Sequence, residues 1–218
     1  MIEDGDRIAV GISGGKDSLS LLAVLNRFKE FYPEKFELEA VYISMDTKDK
    51  NIKLLEDFCR KINVGFTCEK TLINKIVFDA RGEDNPCSLC SNMKRGALHN
   101  VAKRLNCNKV ALGHHSDDVI ETFLMSIFYE GRIHTFSPVT YLGRKKLYVI
   151  RPMIYIKEKS IRDFVKRAKI KTAKRQCEFD GKSKRQYIKE LIISLSSKNR
   201  KIDSNIFGAI KRSKIDGW

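Results

Sequence analysis

The 218-residue chain has no stretch approaching the run of about 18 apolar residues that a membrane-spanning helix needs. It also lacks the basic start of a secretory signal, since Met1 to Asp6 reads Met-Ile-Glu-Asp-Gly-Asp. These absences predict a soluble, cytoplasmic protein that makes no membrane contact. There is no internal repeat and no low-complexity tract, and 42% hydrophobic residues suffice for one globular domain, so disorder is not the expectation. A second C-x-x-C is missing, which leaves Cys87 and Cys90 as half of a metal site. Six cysteines without an export signal argue against a disulfide framework and for metal or redox roles where they cluster.

Acidic residues are scarce in one region only. Residues 1–140 carry 19 basic and 20 acidic side chains, whereas residues 141–218 carry 23 and 7. The net charge of +15 therefore sits in the last third of the chain, and a field so localised suits a polyanion such as nucleic acid.

The β-branched run Arg7–Ile12, then Gly11 to Gly15, then Leu19, Leu21, Leu22, Val24, Leu25 and Phe28 at helical spacing, reads as strand, glycine turn and helix. Further strands are predicted at 36–44, 64–68 and 109–112, and helices at 52–62, 93–105 and 119–129. A strand over 147–150 belongs with a last hairpin after the Pro- and Gly-punctuated stretch 137–143. Helices over 161–168 and 187–195 flank a polar, basic segment, 169–185. Alternating strands and helices imply an α/β fold with a doubly wound, mostly parallel sheet, followed by a basic helical C-terminal segment. The division expected is 1–155 for the α/β domain and 156–218 for that segment. Ligands of such sheets collect at the carboxyl ends of the strands, in the loops after Ser13, Ser44 and Gly113.

Ser13-Gly14-Gly15-Lys16-Asp17-Ser18 lies between a buried strand and a helix. Two glycines let the backbone approach a phosphate, the helix N-terminus offers free N–H groups, and Lys16 adds charge. The spacing is one residue short of a Walker A loop, and Asp17 stands where that loop has Ser or Thr; it is not G-x-G-x-x-G either. The plain alternative is a tight turn with Asp17 and Ser18 capping a helix. At these residues the chain resembles the PP-loop ATP pyrophosphatases, with their S-G-G-x-D-S signature, over most of 5–155. Leu112 to Asp118, followed by Glu121-Thr122, is similar to the G-H-x-x-D-D-x-x-E-T segment of the tRNA-modifying members. Taken alone, an Asp pair at a helix start is as readily a cap.

Cys59, Cys68 and Cys107 fall in apolar patterns or near a helix end and read as inert thiols. Pro86-Cys87-Ser88-Leu89-Cys90 stands just before the predicted helix, and Cys177 lies in the polar stretch Arg175-Gln176-Cys177-Glu178. Three thiolates leave zinc one ligand short unless His99 or His114 completes it; they also suit a 4Fe–4S cluster with one iron open to carry sulfide. Zinc and iron–sulfur both remain open from the residues alone.

Cys87 to Leu98 resembles the C-x-x-C-x-x-x-[RK]-R-G-x-L segment of the tRNA 2-thiocytidine synthetases. Met1 to Arg7, Ile150 to Met153 and Cys177 to Arg185 look like further elements of that family. The resemblance implies thiolation of a tRNA anticodon-loop cytidine with ATP as co-substrate. It implies a 4Fe–4S cluster on Cys87, Cys90 and Cys177, phosphates on Ser13 to Ser18, and magnesium on Asp17 and Asp118. Asp118 would also assist base activation, and Lys94 would steady the adenylate. Lys166, Arg167, Lys169, Lys171, Lys174, Arg175, Lys182, Lys184 and Arg185 would hold the tRNA backbone. A sulfur donor such as a cysteine desulfurase system and a homodimer are implied by the family only. Two departures stand out: Asp180 replaces the second cysteine of a C-x-x-C beginning at Cys177, so it is a candidate weak fourth ligand, and the usual amino-terminal leader is expected to be missing. The rival readings are a lysidine-synthetase-like ligase, which needs no cluster, and a zinc-stabilised RNA-binding module without catalysis.

Overall fold

The computed structural model describes residues 1–46, 49–80, 86–173 and 184–218, with the side chains of 78–80 left aside. Six strands form one sheet in the order β3-β2-β1-β4-β6-β5. They are β1 (Asp6–Ile12), β2 (Phe36–Ser44), β3 (Gly65–Lys70), β4 (Lys109–Ala111), β5 (Val139–Leu142) and β6 (Leu147–Ile150). All neighbours run parallel except β5, which pairs antiparallel with β6. Central β1 is apolar on both faces, with Ile8, Ala9 and Val10 fully buried, as a strand covered on both sides must be.

One face is covered by α1 (Lys16–Phe28), α2 (Ile52–Lys61) and α5 (Glu158–Arg167), where Leu19, Leu22, Leu55 and Ile161 meet Ile8, Val10 and Leu38. The other carries α3 (Pro86–Arg104), whose Leu98 and Val101 pack with Ala9, Val41 and Val110. At the end of the molecule α4 (Ser116–Glu130), α6 (Lys184–Lys198) and α7 (Ile202–Ser213) come together. Val119, Ile154 and Ile210 form a separate small core there, with Phe136, Phe207 and Trp218 against it.

The doubly wound reading holds, with differences at particular elements. The α3 helix begins at Pro86, seven residues before the start that periodicity predicts, so Cys87 and Cys90 lie in its first turn and not ahead of it. Proline at the first helical position costs no hydrogen bond, which explains the early start. A π-helical turn, Lys75–Ala80, has no sequence signal. The α7 helix has little more; its apolar positions Ile202, Ile206 and Ile210 are sparse, and Gly208 interrupts them.

Strand order reverses between β1 and β4, so the loops that follow these two strands diverge and leave a crevice at their carboxyl ends. Gly113 makes their close approach feasible: a Cβ there would stand 2.9 Å from the Asp17 carbonyl carbon and 3.0 Å from the Ser18 nitrogen.

Candidate active site

A cavity of about 670 Å³ opens at this crevice. Ser13, Asp17 and Ser18 line one end, and Ser91, Lys94 and Arg95 of α3 line the other. Between them lie an apolar wall, including Ile12, Val41, Ile43 and Leu112, and a polar one, including His114, Asp118, Thr122 and Arg151.

The glycine loop is held by its own side chains. Ser18 Oγ accepts the Ser13 N–H at 3.0 Å and donates to the Gly15 carbonyl at 3.1 Å, while the Ser13 and Ser18 hydroxyls lie 3.2 Å apart. Gly14 has φ +79°, a conformation in which a Cβ is strained. Lys16 Nζ does not point into the cavity wall; it bridges Asp17 at 2.8 Å and Glu158 at 2.9 Å. Burial opposes the charge on Lys16, but hydrogen bonds to Asp17 and Glu158 outweigh it and raise its pKa.

His115 caps α4. Its Nδ1 accepts the Asp118 N–H at 3.4 Å, and its own N–H donates to Asp118 Oδ2 at 3.0 Å. Its Nε2 stands 3.4 Å from Asp118 and 3.7 Å from Asp17, so the ring sits between the two carboxylates. Asp118 thus serves the helix start and also faces the cavity. Asp117 is turned elsewhere: it accepts the Glu158 N–H at 2.9 Å and so ties α4 to α5.

On the polar wall, His114 stacks on Phe136 with ring centroids 4.7 Å apart, and the Arg151 guanidinium lies 4.9 Å from the Phe136 ring centre. Burial drives His114 down to about 3 and Arg151 down to about 10, so the imidazole is neutral at physiological pH while the guanidinium stays charged. Trp218 Nε1 donates to the Phe136 carbonyl at 3.1 Å and fixes this ring from behind. Phe136 carries no local sequence signal. Arg151 does stand out at a strand end, and Glu158 only as a charge beginning a helix.

Cys87 and Cys90 share one face of the first α3 turn, with Cys87 exposed and Cys90 buried. Cys90 Sγ is 3.5 Å from Met45 Sδ, and Met45 lines the cavity, so Cys90 stands next to its lining. Cys59, by contrast, is fully buried and its thiol is pushed up to about 12, the behaviour of an inert packing residue. No third His, Cys, Asp or Glu joins Cys87 and Cys90 among the described residues. His99 and His114 therefore do not complete a zinc site with them. Two thiols at a helix start fit a metal cluster completed by one further thiolate. Cys177 and Asp180 lie outside the described residues, as do Lys174, Arg175 and Lys182. Both flanks of that segment are placed, however: the Ala173 N–H donates to the Gly14 carbonyl, and Arg185 is bonded to Asp118. Arg185, whose basic surroundings in the sequence suggest an RNA contact, is thus turned into the cavity wall.

No helix among the described residues is long and apolar enough to cross a membrane. The family model of the PP-loop domain matches residues 3–195. A protein of Geotalea uraniireducens named tRNA-cytidine(32) 2-sulfurtransferase is 34% identical, covering 96% of this chain and 84% of its own length. One of the same name from Pelobacter propionicus is 35% identical, with 96% and 79% covered. Among solved structures, the U34-tRNA thiolase NcsA of Methanococcus maripaludis, described with its 4Fe–4S cluster, superposes with a TM-score of 0.80 at 23% identity. That match covers 96% of this chain and 72% of the thiolase.

Proposed function

Since the chain belongs to the PP-loop family that includes the tRNA-cytidine(32) 2-sulfurtransferases, we propose that it uses ATP to replace the O2 oxygen of a tRNA anticodon-loop cytidine with sulfur. The observation that carries this reading is the single cavity joining the glycine loop to the first turns of α3, beside Cys90. Activation and sulfur delivery must happen at one carbon, so the two half-sites need to share a chamber.

The Ser13–Gly15 amides and the α1 N-terminus cradle the ATP phosphates. Asp17 and Asp118, which both lie near His115 Nε2, would hold magnesium. Lys16, kept charged between Asp17 and Glu158, exchanges a carboxylate partner for developing phosphate charge. The cytidine O2 attacks the α-phosphate, the new O–P bond replaces the bond to the β-phosphate oxygen, and pyrophosphate leaves. Asp118 helps to orient the base. Neutral His114 and charged Arg151 face the base end of the chamber, and Lys94 steadies the AMP leaving group. A 4Fe–4S cluster on Cys87, Cys90 and Cys177 would supply the sulfur that displaces AMP at C2.

In this reading residues 1–155 carry the nucleotide site and the first two cysteines, and 156–218 contribute Cys177 and the basic surface for tRNA. A cytoplasmic cysteine desulfurase system is the proposed sulfur source, and a homodimer the proposed assembly. The test is anaerobic incubation of the reconstituted protein with tRNA transcript, Mg-ATP and sulfide, followed by nucleoside mass spectrometry. Expected are 2-thiocytidine and one pyrophosphate per thiolation. Pyrophosphate release with lysine incorporated into the base would establish the ligase instead, and zinc without tRNA-dependent turnover the binding module.

A further inference from the structure

Arg185 is the second residue of α6, in a stretch whose basicity suggests RNA. Its guanidinium nevertheless bonds to α4, with 42% of the side chain still exposed. Nη1 lies 3.3 Å from Asp118 Oδ1 and 3.1 Å from Glu121 Oε2, and Nη2 lies 3.1 Å from Thr122 Oγ1. The three acceptors occupy one stripe of α4, at i, i+3 and i+4, so a single planar fork grips one face of that helix. Asp118, Thr122 and Arg185 all reach the cavity, whereas Glu121 is only 5% exposed and lies behind them. The second Asp118 oxygen is taken by the His115 N–H at 3.0 Å. Both oxygens of the proposed magnesium-binding carboxylate are thereby directed, one by the helix start and one by Arg185.

Resting on the function proposed above, we infer that Arg185 is a positioning residue of the adenylation site. It sets the Asp118 carboxylate and the Thr122 hydroxyl on the cavity wall, and Glu121 anchors it from beneath. A buried carboxylate is costly unless paired, and this pairing gives Glu121 a reason to be there. Burial raises Glu121 to about 7 against the opposing pull of Arg185 and Lys189, with Asp118 adding to the rise.

A phosphate-binding arginine and a positioning arginine give opposite readouts. Removing a phosphate-binding arginine weakens tRNA binding and makes its salt dependence shallower by about one, and leaves kcat at saturating tRNA alone. Pyrophosphate release by wild type, Arg185→Gln, Arg185→Lys and Glu121→Gln should be followed, with tRNA titrations at several salt concentrations and thermal melts to check folding. Expected for Arg185→Gln is a kcat at least tenfold lower, with tRNA affinity within twofold and an unchanged salt slope. Arg185→Lys, which keeps the charge and guards against a folding failure, should recover part of that loss. Glu121→Gln, which removes the anchor, should lower kcat in the same direction and leave tRNA affinity within twofold. Unchanged kcat with weakened tRNA binding and a shallower slope would overturn the inference, as would a Glu121→Gln kcat equal to that of wild type. Should wild type release no pyrophosphate with tRNA, the proposed function fails, and Arg185 is still read by calorimetry: Arg185→Gln weakens Mg-ATP binding at least fivefold if it positions Asp118, and equal affinity refutes it.

Discussion

The backbone N–H of Ala173 donates to the carbonyl oxygen of Gly14 at 2.9 Å. The residue that closes the described part of the chain before Cys177 therefore rests on the phosphate-binding loop. Arg185, just beyond that segment, is bonded to the Asp118 end of the same cavity. The described residues on either side of the segment that carries Cys177 are thereby bonded to the glycine loop and to the cavity wall.

Gly14 is the point where this tether is most sensitive. Its φ of +79° disfavours any side chain, and a Cβ would lie 2.5 Å from the Ala173 Cβ. Gly14→Ala is expected to destabilise the fold by about 2–4 kcal/mol, from backbone strain together with overpacking. ATP affinity should fall at least tenfold. Adding Ala173→Gly should recover part of the stability, because it removes the clash and leaves the strain. Urea denaturation of the single and double variants checks this, and no recovery would mean that the clash is not the source of the destabilisation.

The cysteines should sort by environment. Anaerobically reconstituted wild type is expected to hold about four iron and four sulfide per chain. Cys87→Ala, Cys90→Ala and Cys177→Ala should each drop below one iron, and Cys59→Ala, at a fully buried position, should keep the full complement if the protein folds. Iron and acid-labile sulfide analysis decides, and one zinc with no sulfide in wild type would remove the cluster from the mechanism.

Much of this arrangement is legible from local pattern. The buried run of β1, the glycines after it and the helical spacing from Leu19 place the phosphate loop at the end of a central strand, because periodicity and turn chemistry are local properties. Asp17, Lys94 and Asp118 line one cavity. Interactions made across the fold leave no such trace. The Lys16–Glu158 pair joins α1 to α5, Arg185 reaches from α6 to α4, and Phe136 is held beside His114 by Trp218. A charge run suggests a solvated or RNA-binding face equally well, and only tertiary structure turns Arg185 out of it. The α7 helix stays hidden for the same reason, since its burial against Val119 and Ile154 comes from packing and not from a strong stripe.

The rest of the basic surface is expected to act as a phosphate-binding face. Lys166, Arg167, Lys169 and Lys171 are exposed around the end of α5 and lead towards Ala173. Replacing Lys166, Arg167 and Lys171 together by alanine should weaken tRNA binding without changing ATP affinity. It should also make the slope of log K against log salt shallower by roughly 0.7–0.9 for each phosphate that the protein no longer neutralises. Filter binding across salt concentrations reads this, and an unchanged slope would assign the tRNA face elsewhere.

Glu158 links the phosphate loop to the C-terminal helices, and its ionisation should be visible in stability. Its two oxygens lie 2.9 Å from Lys16 Nζ and 2.8 Å from Lys189 Nζ, with Arg162 at 3.7 Å. Burial pushes the carboxyl up, but the hydrogen bonds from Lys189 and Lys16 outweigh it and hold the pKa at about 2. A folded pKa below the unfolded value means that stabilisation is present above about pH 4.5 and is lost as pH falls through about 2. The Glu158 side chain is 10% exposed, but Lys16 and Lys189 are 24% and 35% exposed, so solvent screens the pairs in part. Glu158→Gln is therefore expected to cost about 1–3 kcal/mol at pH 7. The gap between variant and wild type should narrow below pH 4.5 and close near pH 2. Denaturant midpoints measured across that range test the linkage, and a gap that stays constant with pH would show that Glu158 contributes by packing and not by charge.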